Sequence, residues 1–351
     1  MHGLFSIVLL FHFPQMIRSF DGEEYDAVDD GDPLLLEDRP FTTTPRPHYA
    51  QVNNLKHPRH ARKKAMQGKA LMHIPDHFFP VSIQLDKESY CGGTLIDRKF
   101  VLTAAHCFFR DNSICTHSFN LSYWRYTLHN TRNLTIDLFG NCVGCKKDGF
   151  TPTKGFKNIV EKVMIPAKYV ISRCSAADIA IVRLKEGILP EGMKVNVQFV
   201  PREHMPQMLQ MAGFGFDPAH PHKKSKYLNM IKANVKKCKR FKAERSLICI
   251  DEKKSDFCQG DSGSGLVEKH EEGIIIHGVA AFGTDCKLVH AKRLQKRAGV
   301  IVDMHFKGGA FTSTYSRAPF VCQATENKAQ VSLTQGRRCE DVGHMARILT
   351  I

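Results

Sequence analysis

Short apolar runs broken by turn residues govern what this chain can fold into. Residues 79–85, 100–103, 179–184, 228–235, 246–250 and 273–283 are each bounded by Gly, Pro, Asn, Asp or Lys clusters at fairly regular intervals. Helical periodicity is scarce, and a short terminal helix over 340–351 is the one the pattern suggests. No repeat of fixed period appears. The reading is β-rich, and at 351 residues with 42% hydrophobic content the chain can build about two cores. Disorder throughout is excluded.

The first 64 residues are different. From Asp21 to Asp38 nine acidic residues fall within eighteen positions, and a basic stretch ends at Arg62-Lys63-Lys64. Such composition cannot bury a core. Leu4 to Phe13 has the length of a signal-peptide apolar region, which assigns 1–20 to a signal peptide and 21–64 to a removable leader. The alternative is a buried N-terminal strand. All twelve cysteines lie beyond residue 64, and so many thiols imply folding where they oxidise, hence a secreted, extracellular protein. Asn120-Leu-Ser122 and Asn133-Leu-Thr135 are glycosylation sequons, useful only in such a chain. No run approaches the roughly 18 apolar residues of a membrane helix.

Three motifs carry chemistry. Thr103-Ala104-Ala105-His106-Cys107 ends a strand with a histidine; Asp178 opens the run Ile179-Ala180-Ile181-Val182; Gly260-Asp261-Ser262-Gly263 sets a serine in a tight turn. Acyl transfer by a nucleophile needs a hydroxyl, a base for its proton, a group that orients the base, and donors aimed at the developing oxyanion. Taken singly, a serine in a Gly-rich turn is only a turn residue, and an Asp before a strand only ends a loop. In the order His, Asp, Ser, with a cysteine sixteen residues before Cys107 at Cys91-Gly-Gly-Thr, they act as a set.

Over about residues 78 to 303 the chain resembles the trypsin-like serine proteases. The resemblance implies two packed antiparallel six-stranded β-barrels, about 65–190 and 191–303, followed by an extension over 304–351. It makes Ser262 the nucleophile, His106 the general base and then acid, and Asp178 the carboxylate that fixes the imidazole tautomer. The N–H groups of Gly260 and Ser262 would form the oxyanion hole, a glycine serving because the turn asks for angles other residues resist. Asp261 would be the activation switch, meeting an α-amino group freed by cutting. The family's Ile-Val-Gly-Gly is missing, and cutting after Lys64 would free Ala65-Met66-Gln67-Gly68.

Six residues before the nucleophile the family places the floor of its main specificity pocket, so the resemblance implies that role for Asp256. A carboxylate there selects Arg or Lys, because a neutral group leaves it desolvated and unpaired. The resemblance puts Gly283 and Gly299 at its walls. Phe257 stands where the family has a small residue, Ala281 where it has a serine, and Ser264-Gly265 replaces Gly-Pro. Family pairing would join Cys91–Cys107, Cys238–Cys249 and Cys258–Cys286; Leu209 and Glu268 stand where another bridge would be. Of the six other cysteines, Cys322 and Cys339 are the natural local pair. Cys142-Val-Gly-Cys145 lacks a second half, so no metal is implied, nor any cofactor. A rival reading is an inactive homologue that only binds.

The charge is +15 overall and concentrated. One cluster runs from Lys236 to Lys242; another, Lys287, Lys292, Arg293, Lys296 and Arg297, lies between Cys286 and Gly299. Outside a cell such clusters suit sulfated glycans or acidic proteins rather than nucleic acid, a solvated surface being the bland alternative. Beside a cleft they would favour acidic residues near the cleaved bond. Oligomeric state is not legible.

Overall fold

The computed structural model describes residues 69–70, 79–86, 88–110, 115, 127–138, 156–187, 195, 197–216, 227–238, 246–252, 257–270, 273–302, 308–326, 331–333, 339 and 347–351. All belong to one compact unit, Leu55–Ile351. Residues 1–64, read above as signal peptide and leader, lie outside them.

The strands are β1 (Lys69–Ala70), β2 (Pro80–Leu85), β3 (Glu88–Asp97), β4 (Phe100–Thr103), β5 (Leu134–Leu138), β6 (Phe156–Pro166), β7 (Ala180–Leu184) and β8 (Val197–Phe199). They continue with β9 (Met208–Gly213), β10 (Asn229–Lys236), β11 (Leu247–Ile250), β12 (Gly265–Lys269), β13 (Ile274–Phe282), β14 (Gly309–Ser313), β15 (Val331–Leu333) and β16 (Ile348–Thr350). Two closed six-stranded antiparallel barrels result. The first runs β2-β3-β4-β7-β6-β5 and closes by β5 on β2; the second runs β9-β10-β11-β14-β13-β12 and closes by β12 on β9. Both therefore share one order, three consecutive strands followed by the next three reversed. The architecture repeats although the sequence does not.

Alternation explains the walls. In β5 the odd positions Leu134, Ile136 and Leu138 are buried and the intervening ones half-buried, the period of a strand with one face on a core. Strands β4 and β11 are buried along their whole length, because both faces are covered. The second barrel's core is built from Leu209, Met211, Ile231, Ile248, Leu266 and Phe311. Each interior apolar side chain of this size contributes roughly 1.5–3 kcal/mol on burial.

Four further strands clasp the barrels. β1 pairs with β10 of the second barrel, and β16 pairs with β6 of the first. β8 joins β13, and β15 joins β8, both in parallel, which the antiparallel expectation did not include.

Two sequence expectations give way here. The boundary at 303 is displaced, because β14 at Gly309–Ser313 lies between β11 and β13 and is the strand without which the second barrel stays open. Residues 304–351 are thus not a separate extension; helix Ala318–Ala324 also buries Phe320 and Val321 against the core. The terminal segment read as helix ends instead in β16. Its Ile-Leu-Thr favours an extended backbone and pairs with β6, Leu349 opposite Ile165.

Candidate active site

His106 sits in the 3₁₀ turn Ala105–Phe108 directly after β4, and Asp178 two residues before β7. Because β4 and β7 pair, Thr103 opposite Ala180, the two side chains meet. The contact is double: the His106 backbone N–H donates to Asp178 Oδ1 at 2.9 Å, and Nδ1 lies 2.7 Å from Oδ2. A carboxylate held this way fixes both the ring's position and its tautomer, leaving Nε2 free to accept a proton. Asp178 is buried at 7% exposure, so its charge acts in a poorly screened setting. Burial alone would lower the His106 pKa, but the charge and hydrogen bond of Asp178 outweigh it and raise the value above 6.5.

Tyr169, on the short helix Ala167–Ile171, walls this pair. Its ring packs 5.6 Å from Phe109, and burial first, then the nearby Asp178 charge, raises its phenol far above the ordinary range. Nothing in the local sequence marks it.

The serine arrives from the second barrel. Ser262 is held by its backbone: its carbonyl accepts the Gly92 N–H at 2.7 Å and lies 3.9 Å from the Cys107 sulfur, next to His106. Gly263 has φ +85°, and a Cβ there would stand 2.2 Å from Thr103 Oγ1 and 2.4 Å from the Gly92 carbonyl. Only glycine lets the turn approach the end of β4 so closely. Within the turn, the N–H groups of Asp261, Gly263 and Ser264 donate to Cys258, Ala280 and Asp261 carbonyls. Those of Gly260 and Ser262 have no acceptor among the described residues. Two fixed, uncommitted donors flanking a half-exposed serine suit an incoming oxyanion.

Asp261 is buried behind that turn. Its carboxylate accepts the Gly215 N–H at 2.7 Å and the Cys258 N–H at 2.9 Å. Burial raises its pKa to about 6 against the pull of those two amides. No cation pairs with it among the described residues, and Ala65 lies outside them.

The pocket departs further from the sequence reading. Asp256 lies outside the described residues. Gly283 ends β13's exit, and a Cβ there would meet the Gly309 Cα at 3.4 Å. Gly299 is not its opposite wall: it follows helix Cys286–Arg297 with φ +80° and has nothing within 4 Å of a built Cβ. Gly309, first residue of β14 and paired with Ile250, takes that place. The helix lengthens the path between the walls, so counting from the family's spacing lands ten residues short.

Between the two walls lies Phe257. Its ring is buried against Phe311, edge-on at 5.0 Å, and would stand 2.6 Å from a Cβ at Gly309 and 3.7 Å from one at Gly283. Beside it stands Glu252, fully buried, which no local pattern marks. Its carboxylate accepts the Thr284 N–H (2.8 Å), the Thr284 hydroxyl (2.7 Å) and the Gly308 N–H (2.9 Å), while Arg293 donates to its main-chain carbonyl. A charged buried carboxylate requires such donors. Written in Asp-Glu-Lys-Lys, it reads as surface.

Cys91–Cys107 and Cys238–Cys249 are bridged, as are Cys115–Cys174 and Cys322–Cys339. Cys258 and Cys286 are not bridged. They are two buried thiols, and a hydrogen bond with Cys258 lowers the Cys286 pKa against the opposing effect of burial. Cys286 opens the helix, capped by Asp285, and packs with Cys258 and Val289 in one buried cluster. Cys142, Cys145 and Asn120 lie outside the described residues; Asn133 is exposed. The sulfurs nearest His106, of Cys91 and Cys107, are joined in a disulfide and so supply no thiolate to a metal. No helix among the described residues is long and apolar enough to cross a membrane.

Compared with known families, residues 72–133 and 147–295 match the family model described as Trypsin. The match ends inside the helix that separates the pocket walls.

Proposed function

Since the chain belongs to the trypsin family of serine-protease-type hydrolases, we propose that it is a secreted serine endopeptidase made as a zymogen. The observation that carries this reading is the two-point grip of Asp178 on His106 beside a serine turn with two uncommitted N–H donors. Ser262 Oγ attacks the scissile carbonyl while His106 Nε2 takes its proton, and Asp178 stabilises the imidazolium. The N–H groups of Gly260 and Ser262 receive the oxyanion; His106 then protonates the leaving amine, and water releases the acyl group by the same route.

Asp256 supports cleavage after Arg or Lys. The Ala65 amine, freed by cutting after Lys64, would supply the cation that the buried Asp261 carboxylate lacks among the described residues, linking activation to the order of the oxyanion turn. The cluster from Lys236 to Lys242 suits sulfated glycans or acidic proteins. One observation favours a second reading, an inactive homologue that binds without cutting: the Phe257 ring lies where a long substrate side chain would enter.

Protein cut in the leader, its new N-terminus sequenced, is assayed on Arg-, Lys-, Phe- and Ala-type peptide esters beside Ser262→Ala. A parent faster than the variant by on the order of 10⁶ supports the peptidase; equal rates end it. Preference for the Phe or Ala ester ends only the Asp256 assignment.

A further inference from the structure

The segment between the pocket strands carries a surface that peptide hydrolysis leaves unused. Among the described residues eight large apolar side chains are exposed, and five of them fall between Phe282 and Ile301: Phe282, Leu288, Leu294, Val300 and, at 99% exposure, Ile301. Elsewhere among the described residues only Ile159, Ile171 and Met208 are exposed in this way, and they lie apart in sequence. The concentration of the other five in one stretch is a property of that stretch.

Helix Cys286–Arg297 has a defined orientation. It buries Cys286, Val289 and Arg293, which at about 100° per residue fall within an arc of about 60°. The opposite face carries Leu288, Ala291 and Leu294, all exposed. At the same spacing Lys287 and Gln295, both exposed, fall within this face, Lys292 borders it beside Leu288, and Lys296 and Arg297 lie at the two edges of the buried arc. From Cys286 to Val302 there is no acidic residue. Arg293 anchors the buried face by donating to the Glu252 carbonyl, and the Asp285 side chain caps the first turn by accepting the Lys287 N–H at 2.7 Å.

We infer that the outward face of helix Cys286–Arg297, with Val300 and Ile301, docks the protein on an anionic lipid surface. Exposed leucines interspersed with long cations on one face suit a helix lying in a membrane interface, its apolar side chains in the acyl boundary and its Lys and Arg reaching the headgroups. A sulfated glycan neutralises the cations but leaves Ile301 and Leu294 in water; an anionic bilayer takes both. The helix follows directly from β13, whose Ala280 carbonyl accepts the Gly263 N–H of the serine turn, so docking holds that turn near the lipid surface.

The test is co-sedimentation of the full chain with vesicles of phosphatidylcholine alone and with about 30% phosphatidylserine, at an ionic strength giving a screening length of about 8 Å. The protein pellets with the anionic vesicles and stays in solution with the neutral ones. Lys296→Glu with Arg297→Glu lowers partitioning at least about 30-fold. Leu294→Asp with Ile301→Asp lowers it at least about 10-fold. Ile171→Asp, an exposed apolar change outside the segment, leaves it unchanged, and equal thermal midpoints show that all variants fold. Absence of enrichment on anionic vesicles overturns the inference. So does loss with the charge pair alone; heparin retention following that same pattern would assign the face to a polyanion.

Discussion

His106 and Asp178 come from neighbouring strands of the first barrel, β4 and β7, whose pairing alone brings them together. The pocket of the second barrel is assembled otherwise: Glu252, Phe257, Gly283 and Gly309 converge from three segments, two of them separated by residues 284–308. The difference is one of locality. Paired strands carry a motif's chemistry with them, whereas a pocket wall depends on where the chain returns after an excursion of any length. A long excursion with a helix in it leaves the barrel intact and replaces what lines the slot.

The largest effect that can break this comparison is at the first barrel. Asp178→Asn, which leaves the fold in place but spoils the tautomer of His106, is expected to lower kcat by about 10⁴-fold. Its pH profile gives a second readout. His106 must be neutral to act as base, and Asp178 raises its pKa, so the acid limb of kcat/KM lies above 6.5 in the parent and moves down in the variant. An unmoved limb would show that Asp178 does not govern the imidazole.

Next in size is the charge behind the serine turn. Asp261 has a folded pKa of about 6 against 3.8 unfolded, so the folded state holds a proton the unfolded state has released. Stability therefore falls as pH rises from about 4 to about 6 and stays reduced above that, by about 3 kcal/mol. Urea midpoints of the uncut parent and Asp261→Asn across that window should diverge in this direction, and cutting at the leader should remove the divergence. Parallel curves before cutting would show that the carboxylate is already compensated.

Phe257→Ser sharpens the pocket side. Removing a ring that lies 2.6 Å from a Cβ at Gly309 opens the slot, and kcat/KM for Arg and Lys esters should rise about 10- to 100-fold relative to Ala esters. A fall for all esters alike would instead make the ring a structural support of β14.

The smallest effects separate the two glycines. Gly309→Ala drives a methyl into Phe257 and Ile250 and is expected to cost about 1–3 kcal/mol and to change ester preference. Gly299→Ala should cost about 1 kcal/mol from its positive φ and leave preference untouched. If Gly299 proves the sensitive position, the wall assignment reverts to the one read from spacing.

These contrasts also mark what the sequence made legible. The β runs and the order of His106, Asp178 and Ser262 depend on local pattern and could be read, while the Cys91–Cys107 pair followed from the family resemblance. The helix Cys286–Arg297 could not, because its third buried anchor is Arg293, so no apolar period announces it. Without that helix, Gly299 looks like a wall and residues 304–351 like a tail. Glu252 and Tyr169 were hidden for a related reason: each is placed by tertiary contacts, Glu252 with Thr284 and Gly308, Tyr169 with Phe109 and Asp178, and its neighbours in sequence say nothing of them.

The most direct measurement is covalent trapping of the nucleophile. Leader-cut protein treated at mildly alkaline pH with a peptidyl phosphonate ester, then digested and weighed by mass spectrometry, should carry one phosphonyl group, on the peptide holding Gly260-Asp261-Ser262-Gly263. Ser262→Ala should carry none, and Asp178→Asn should label far more slowly. An unlabelled parent, or a label that survives Ser262→Ala, would contradict the joint action of the three side chains.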